Sequence, residues 1–254
     1  MKQTIIKVEH LYAGYHGQAI MEDLNFDITK GEIFVILGGS GCGKSTVLKH
    51  MIGLLPPVSG RVLIHGQDMI TSRGKNRNQL LQQIGVAFQN GALFGSMTVL
   101  ENIMLPLKEY TRLPLDAIQT IARAKLKLVD LSGQGDLLPD ALSGGMKKRA
   151  AIARAMALDP AIVFLDEPSA GLDPLTSAEM DFLIMDLADT LGITFVIVTH
   201  ELESILTIAD NTIMLEKDTK GIIARGAPKD LKADASNAYV YQFFNRNPER
   251  DKKP

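Results

Sequence analysis

Ile33-Phe34-Val35-Ile36-Leu37-Gly38-Gly39-Ser40-Gly41-Cys42-Gly43-Lys44-Ser45 is the stretch whose reading decides the fold. An unbroken apolar run closed by glycines describes a strand buried on both faces. Gly38-x-x-x-x-Gly43-Lys44-Ser45 then places a phosphate-loop pattern between that strand and a helix expected over residues 44–53. Phosphates crowd negative charge into a small volume. Glycines let backbone N–H groups converge on such an anion, and the helix N-terminus adds a favourable dipole. Lys44 supplies a point charge for the outer phosphates and Ser45 a hydroxyl for Mg²⁺, while Gly39, Ser40, Gly41, Cys42 and Thr46 complete the expected lining. A dinucleotide-binding loop would need a different glycine spacing and would leave the Lys44-Ser45 pair unexplained.

A second buried strand, Ile162-Val163-Phe164-Leu165, runs into Asp166-Glu167. Two carboxylates at the carboxyl end of a strand lie where ligands bind in open α/β sheets. Asp166 is placed to hold Mg²⁺ through water and Glu167 to polarise an attacking water as general base. A strand running into a solvated acidic turn is the bland alternative, and a phosphate loop in the same chain weighs against it. Leu142-Ser143-Gly144-Gly145-Met146 precedes an alanine-rich helix expected over residues 150–158. A serine and two glycines at a helix start offer a hydroxyl, open backbone and a dipole end, which together make a second anion site. Two such sites in one chain suggest a shared nucleotide.

Outward from these motifs, residues 4–11 and 24–28 alternate apolar and polar and read as antiparallel strands. Short strands are expected at 61–64, 84–88, 194–198, 212–215 and 221–225. Between 97 and 136 the spacing of Leu100, Ile103, Met104, Leu107, Ile118, Ile121, Ala122 and Leu126 turns helical, an α-helical insertion inside an α/β domain. The expected organisation is one domain over 1–240, with a helical subdomain over about 91–157, and a C-terminal tail over 241–254 whose residues from 246 on are polar. The 254 residues are 46% hydrophobic and 22% charged, enough for a sizeable core. A net charge of −2 gives no basic excess, which lowers a nucleic-acid reading. The single cysteine, Cys42, excludes an internal disulfide and fits a reducing compartment. The N-terminus lacks the apolar core of a leader. No apolar run approaches the ~18 residues that a membrane span needs, so any membrane role is expected to come through a partner.

The order of phosphate loop, Gln89, Leu142-Ser143-Gly144-Gly145, acidic strand end, Ser169-Ala170-Gly171-Leu172-Asp173 and His200 resembles the ABC ATPase family over almost the whole chain. That resemblance implies a P-loop NTPase of ABC type, with a mixed sheet core, an antiparallel β subdomain and an inserted helical subdomain. It implies ATP and Mg²⁺ as ligands. It gives Tyr15 the place of the aromatic that stacks on adenine. Gln89 becomes the glutamine that contacts Mg²⁺ or water and senses a transmembrane partner. His200 becomes the histidine beside the γ-phosphate, and Asp173 the aspartate coupling two sites. It also implies a head-to-tail dimer in which each ATP lies between one copy's loop and the other's Ser143, Gly144, Gly145 and Met146. Closure on ATP would pull on permease subunits, and hydrolysis would reset it.

Where the family usually has glutamine this chain has Met146, and a thioether cannot replace the amide's donor. Met146 followed by Lys147-Lys148-Arg149, with the run Tyr241-Gln242-Phe243-Phe244-Asn245-Arg246, resembles the ATPases of MCE-linked lipid transporters, including the maintenance-of-lipid-asymmetry system of Gram-negative envelopes. That implies phospholipid cargo, an MCE-domain periplasmic protein and a small cytoplasmic accessory subunit as partners, no nucleic acid, and a place on the cytoplasmic face of the inner membrane. Lys147, Lys148 and Arg149 read as a solvated helix face with one structural arginine. Tyr239, Tyr241, Phe243 and Phe244 either pack on the domain or dock a partner. Cys42 reads as a small residue that fits the loop, and the alternative is a thiol whose modification blocks ATP. A different importer substrate, a non-transport ABC ATPase such as one for iron–sulfur assembly, and a non-catalytic module are the other readings. Glu167 and His200 argue against the last.

Overall fold

The computed structural model describes residues 3–246. Thr4–Tyr15 (β1) and Gln18–Thr29 (β2) form an antiparallel hairpin that turns Ile6, Val8, Leu11, Leu24, Phe26 and Ile28 inward. Both strands run beyond their expected ends. His16 and Gly17 join them with φ of 52° and 79°, the paired left-handed conformations that a two-residue hairpin turn requires. Ile33–Gly38 (β3) is buried along its whole length, and Lys44–Met51 (α1) follows the glycine loop. Ser59–Ile64 (β4) and Gln67–Asp68 (β5) complete a four-stranded antiparallel sheet in the order β2-β1-β4-β5. Gly74–Gln82 (α2) buries Leu80 alone, too little apolar periodicity to be expected from sequence. It leads into Ile84–Ala87 (β6).

The helical stretch expected over 97–136 is two helices, Val99–Tyr110 (α3) and Leu115–Leu128 (α4). Thr98 opens α3 with a capping box: its Oγ1 accepts from the Glu101 amide at 3.2 Å, and Glu101 Oε2 accepts from the Thr98 amide at 2.8 Å. Pro114 separates the two, because the residue before a proline avoids helical geometry. Gly144–Ala155 (α5) starts six residues before the expected 150. Ser143 caps it, its Oγ accepting from the Met146 amide at 3.3 Å, so the glycines lie in the first turn rather than ahead of the helix.

Ile162–Asp166 (β7), Pro174–Leu191 (α6), Thr194–Val198 (β8), Leu202–Ile208 (α7), Asn211–Glu216 (β9) and Gly221–Gly226 (β10) follow. The second sheet runs β10-β9-β3-β8-β7-β6 and is parallel except for β10. Its strands divide their side chains by the two-residue period. Val35, Val163, Leu165, Phe195 and Ile197 join the core under the helices, while Phe34, Ile36, Phe164, Val196 and Val198 join the core shared with the antiparallel sheet. Phe34 stacks on Phe26 there, with centroids 5.6 Å apart. At Gly85 in β6 the sheet and α5 meet backbone to backbone: a Cβ there would lie 2.1 Å from the Ala155 carbonyl oxygen.

Pro228–Ala233 (α8) and Ala238–Asn245 (α9) end the described chain. Helix α9 runs across residue 240, where a separate tail was expected to begin, because Val240 and Phe244 both bury their side chains against the domain. Most of the expected polar end lies outside the described residues. Among the described residues no helix is long and apolar enough to cross a membrane.

Candidate active site

Parallel strands β3, β6, β7 and β8 all deliver their carboxyl ends to one edge of the sheet, the edge at which such folds bind ligands. From β3 comes the glycine loop. Gly38, Gly41 and Gly43 have φ of 150°, 74° and 107°. At Gly38 a Cβ would lie 2.4 Å from the Leu215 carbonyl oxygen and 2.8 Å from Cys42 Sγ, so glycine is required by close approach as well as by conformation. Lys44 is buried, and its ammonium donates to the carbonyls of Gly38 (2.9 Å) and Gly39 (3.2 Å). Tyr15 is exposed at the end of β1, and its hydroxyl lies 2.9 Å from Thr46 Oγ1 on α1.

From β7 come the acids. Ser45 Oγ donates to Asp166 Oδ1 at 3.0 Å. Burial pushes the Asp166 carboxyl above the usual range, and the serine hydroxyl pulls it back. A hydroxyl and a carboxylate held in contact are hard oxygen donors of the kind Mg²⁺ takes. Glu167 is buried in a left-handed conformation, φ 51°, costly for a residue with a Cβ. Its amide donates to the Val198 carbonyl at 2.8 Å. His200 Nδ1, beyond the end of β8, lies 2.8 Å from Glu167 Oε1. Among the described residues Glu167 Oε2 is buried without a hydrogen-bond partner, an acceptor free to take a donor such as a water.

Lys44, Ser45, Thr46, Tyr15, Asp166, Glu167 and His200 therefore converge. Gln89 is exposed just past β6, at the same edge. Ser143, Gly144, Gly145 and Met146 form the first turn of α5. Among the described residues no hydrogen bond joins them to the glycine loop. They pack instead beside Leu172 and Thr176, which a Cβ on Gly144 or Gly145 would meet at 3.7 and 2.8 Å. Met146 is half-buried against the helical core. Asp173 caps α6: its Oδ1 accepts from the amides of Leu175 and Thr176 at 3.1 Å each, and its Oδ2 accepts from Thr176 Oγ1 at 2.6 Å. The Thr176 hydroxyl and these amides hold the Asp173 carboxyl below the usual carboxylate range.

Several supporting side chains have no linear signal. Arg149 is the expected structural arginine, while Lys148 does not join the expected solvated face. Lys148 turns inward and donates to the carbonyls of Glu167 (3.0 Å) and Ala170 (2.7 Å), while Arg149 pairs with Asp130 (3.0 Å) and Glu179 (3.2 Å). Arg154 donates to the carbonyls of Gly91 (2.9 Å) and Ala92 (2.8 Å), tying α5 to the loop after Gln89. Fully buried Asn102 accepts from the Phe94 amide and donates to the carbonyls of Phe94, Met97 and Thr98. Tyr239 on α9 brings its hydroxyl over the glycine loop, 3.4 Å from where a Gly39 Cβ would stand. Asn102 acts within its own loop and helix start, whereas the others depend on residues far apart in sequence that only the fold brings together.

The profile of the ABC transporter family matches residues 21–170, which hold the glycine loop, the α5 turn and the acidic strand end. The chain is 42% identical over 240 residues to the probable ribonucleotide transport ATP-binding protein mkl of Mycobacterium leprae, covering 94% of this chain and 68% of that protein. It is 38% identical over 244 residues to the intermembrane phospholipid transport system ATP-binding protein MlaF of Haemophilus influenzae, covering 96% and 91%. Its fold matches the dimeric, post-hydrolysis ATP-binding cassette MJ0796 bound to ADP and Pi, with a TM-score of 0.77, 28% identity, and 88% and 98% coverage. With a glycine loop, a buried acid pair and a strand-end histidine on one sheet edge, the profile match over residues 21–170 and these relatives make this chain a member of the ABC transporter family and its ATP-hydrolysing subunit.

Proposed function

We propose that the chain hydrolyses Mg-ATP by in-line attack of a water oriented by Glu167, and that two copies complete the sites. The observation that carries this is the geometry at the ends of β7 and β8, where Glu167 keeps one carboxylate oxygen on His200 and the other buried without a partner among the described residues. Lys44 and the loop amides lie where charge develops on the transferred phosphoryl group. Lys44 is already desolvated, so its attraction for phosphate is stronger than at a surface. His200 holds the γ-phosphate and Glu167 in mutual register. Tyr15 stacks on adenine, its ring fixed through Thr46. Ser45, Asp166 and Gln89 hold the Mg²⁺, which when bound neutralises phosphate charge. Ser143, Gly144, Gly145 and Met146, turned away from their own loop, serve the ATP of the second copy, and Asp173 couples the two sites. The dimeric cassette described above supports this arrangement. Glu167→Gln should retain ATP binding and lower turnover by about 10²- to 10⁴-fold. Turnover within twofold of wild type would remove Glu167 as the base.

The cargo we propose is phospholipid, moved between the membranes of a Gram-negative envelope by permease subunits, an MCE-domain periplasmic protein and a small accessory subunit, with this chain on the cytoplasmic face of the inner membrane. The phospholipid-transport relative supports it, since nearly the full length of both proteins aligns. The mycobacterial relative, named for ribonucleotide transport, favours a second reading. Mild-detergent purification of the complex from its native cells, with analysis of bound phospholipid and nucleotide, separates the two. Nucleotide cargo without phospholipid would overturn the first.

A further inference from the structure

Helix α5 carries Ser143–Met146 in its cap and first turn, and one turn further on it carries a side chain directed into its own chain's acidic site. Lys148 is half-buried, and its ammonium donates to two carbonyls that bracket one turn, Glu167 at 3.0 Å and Ala170 at 2.7 Å. The turn is otherwise held by a long bond from the Ala170 amide to the Glu167 carbonyl, 3.3 Å. Glu167 stands in a left-handed conformation at φ 51°, and such a conformation persists only where the surroundings over-determine it. The lysine closes both ends of that turn with charge-assisted bonds, which are the stronger kind. Burial lowers its pKa, opposed by the carboxylates of Glu201 and Glu167. A lysine kept charged at that cost holds something that a methionine of similar length would leave loose.

We propose that Lys148 is a positioning residue for hydrolysis, fixing the backbone of the Glu167–Ala170 turn and so linking the Ser143 end of α5 to the base of the same chain. The inference rests on the reading of Glu167 as that base. Through this link, movement of α5 shifts the attacking-water site of its own chain without any side chain of α5 touching the ATP on that chain's glycine loop.

Purified wild type, Lys148→Met, Lys148→Arg and Glu167→Gln are compared for kcat, KM, ATP affinity by equilibrium binding, and thermal unfolding midpoint. Lys148→Met should lower kcat by about 10- to 100-fold, the loss expected for charge-assisted hydrogen bonds, with ATP affinity within about twofold of wild type. Lys148→Arg, whose guanidinium can donate to both carbonyls, should recover most of kcat. An unchanged kcat in Lys148→Met overturns the proposal. So does a kcat loss in Lys148→Met that disappears when turnover is measured well below the variant's unfolding midpoint, since the lysine would then serve the fold alone. Glu167→Gln is the separate check: if it retains turnover, the base assignment fails, whatever the Lys148 variants do.

Discussion

Replacing Gly85 by alanine tests whether the close seat of α5 on β6 is a requirement of the fold. The added Cβ would sit 2.1 Å from the Ala155 carbonyl oxygen and 2.7 Å from its carbon. Both are backbone atoms, so no rotamer change relieves the clash. Ordinary contact begins at 3.4 Å, so strand and helix must part by about 1.3 Å in a core packed as densely as a crystal. Overpacking of this sort costs about 1–3 kcal/mol, and a rigid backbone neighbour places Gly85→Ala at the upper end. For a domain of this size about 3 kcal/mol lowers the unfolding midpoint by about 6–12 °C. Separation would also pull Arg154 from the Gly91 and Ala92 carbonyls, so turnover should fall in protein that is still folded. The assay is circular-dichroism melting with steady-state ATPase at a temperature well below either midpoint. Gly95→Ala is the control, because a Cβ at Gly95 meets nothing within 4 Å. A midpoint for Gly85→Ala within 1 °C (about 0.3 kcal/mol) of the Gly95→Ala control would refute the reasoning.

Two further substitutions test the polar interior. Asp181 on α6 is 5% exposed, has one carboxylate oxygen without a partner among the described residues, and is pushed up by burial to about 6. The folded protein therefore holds a proton that the unfolded chain releases, so stability falls as pH rises from about 4 through about 6 and the penalty is complete above that. Asp181→Asn should raise the unfolding midpoint at pH 7, with a gain of about 1–2 kcal/mol, below the about 3 kcal/mol that a fully dry site would give. The gain should vanish near pH 4, and a gain independent of pH would contradict the assignment. Asn102→Ala leaves the Phe94 amide without its acceptor and should cost about 2–4 kcal/mol. Hydrogen exchange at Phe94 reports it directly, and protection equal to wild type would show that Asn102 does not hold that loop.

How legible the molecule is from sequence follows the range of the interactions. Residues 33–37 and 162–165 read as buried strands because a strand covered on both faces needs apolar side chains throughout. The phosphate loop was legible because glycine conformation and anion chemistry are both local. The hairpin's full length was not, since His16-Gly17 is a weak turn signal until paired strands force both residues to positive φ. The true start of α5 was visible in Ser143 as a cap, yet alanine content drew the expected start to Ala150. Lys148 illustrates the limit most directly. Two successive lysines on a helix look solvated, and only the placement of the Glu167–Ala170 turn against α5 separates Lys148 from Lys147.

Cys42 gives the glycine loop a chemical reporter of its own motion. The thiol is 3% exposed, with its sulfur directed at Gly38. An alkylating reagent reaches it only when the loop opens, so the labelling rate equals the reagent's intrinsic rate scaled by the open fraction. Bound ATP, by favouring the closed loop, should slow labelling in proportion to occupancy. Because Cys42 is the chain's only cysteine, the time course needs no mutagenesis to interpret, and it reads directly how often the empty phosphate cradle comes apart between turnovers.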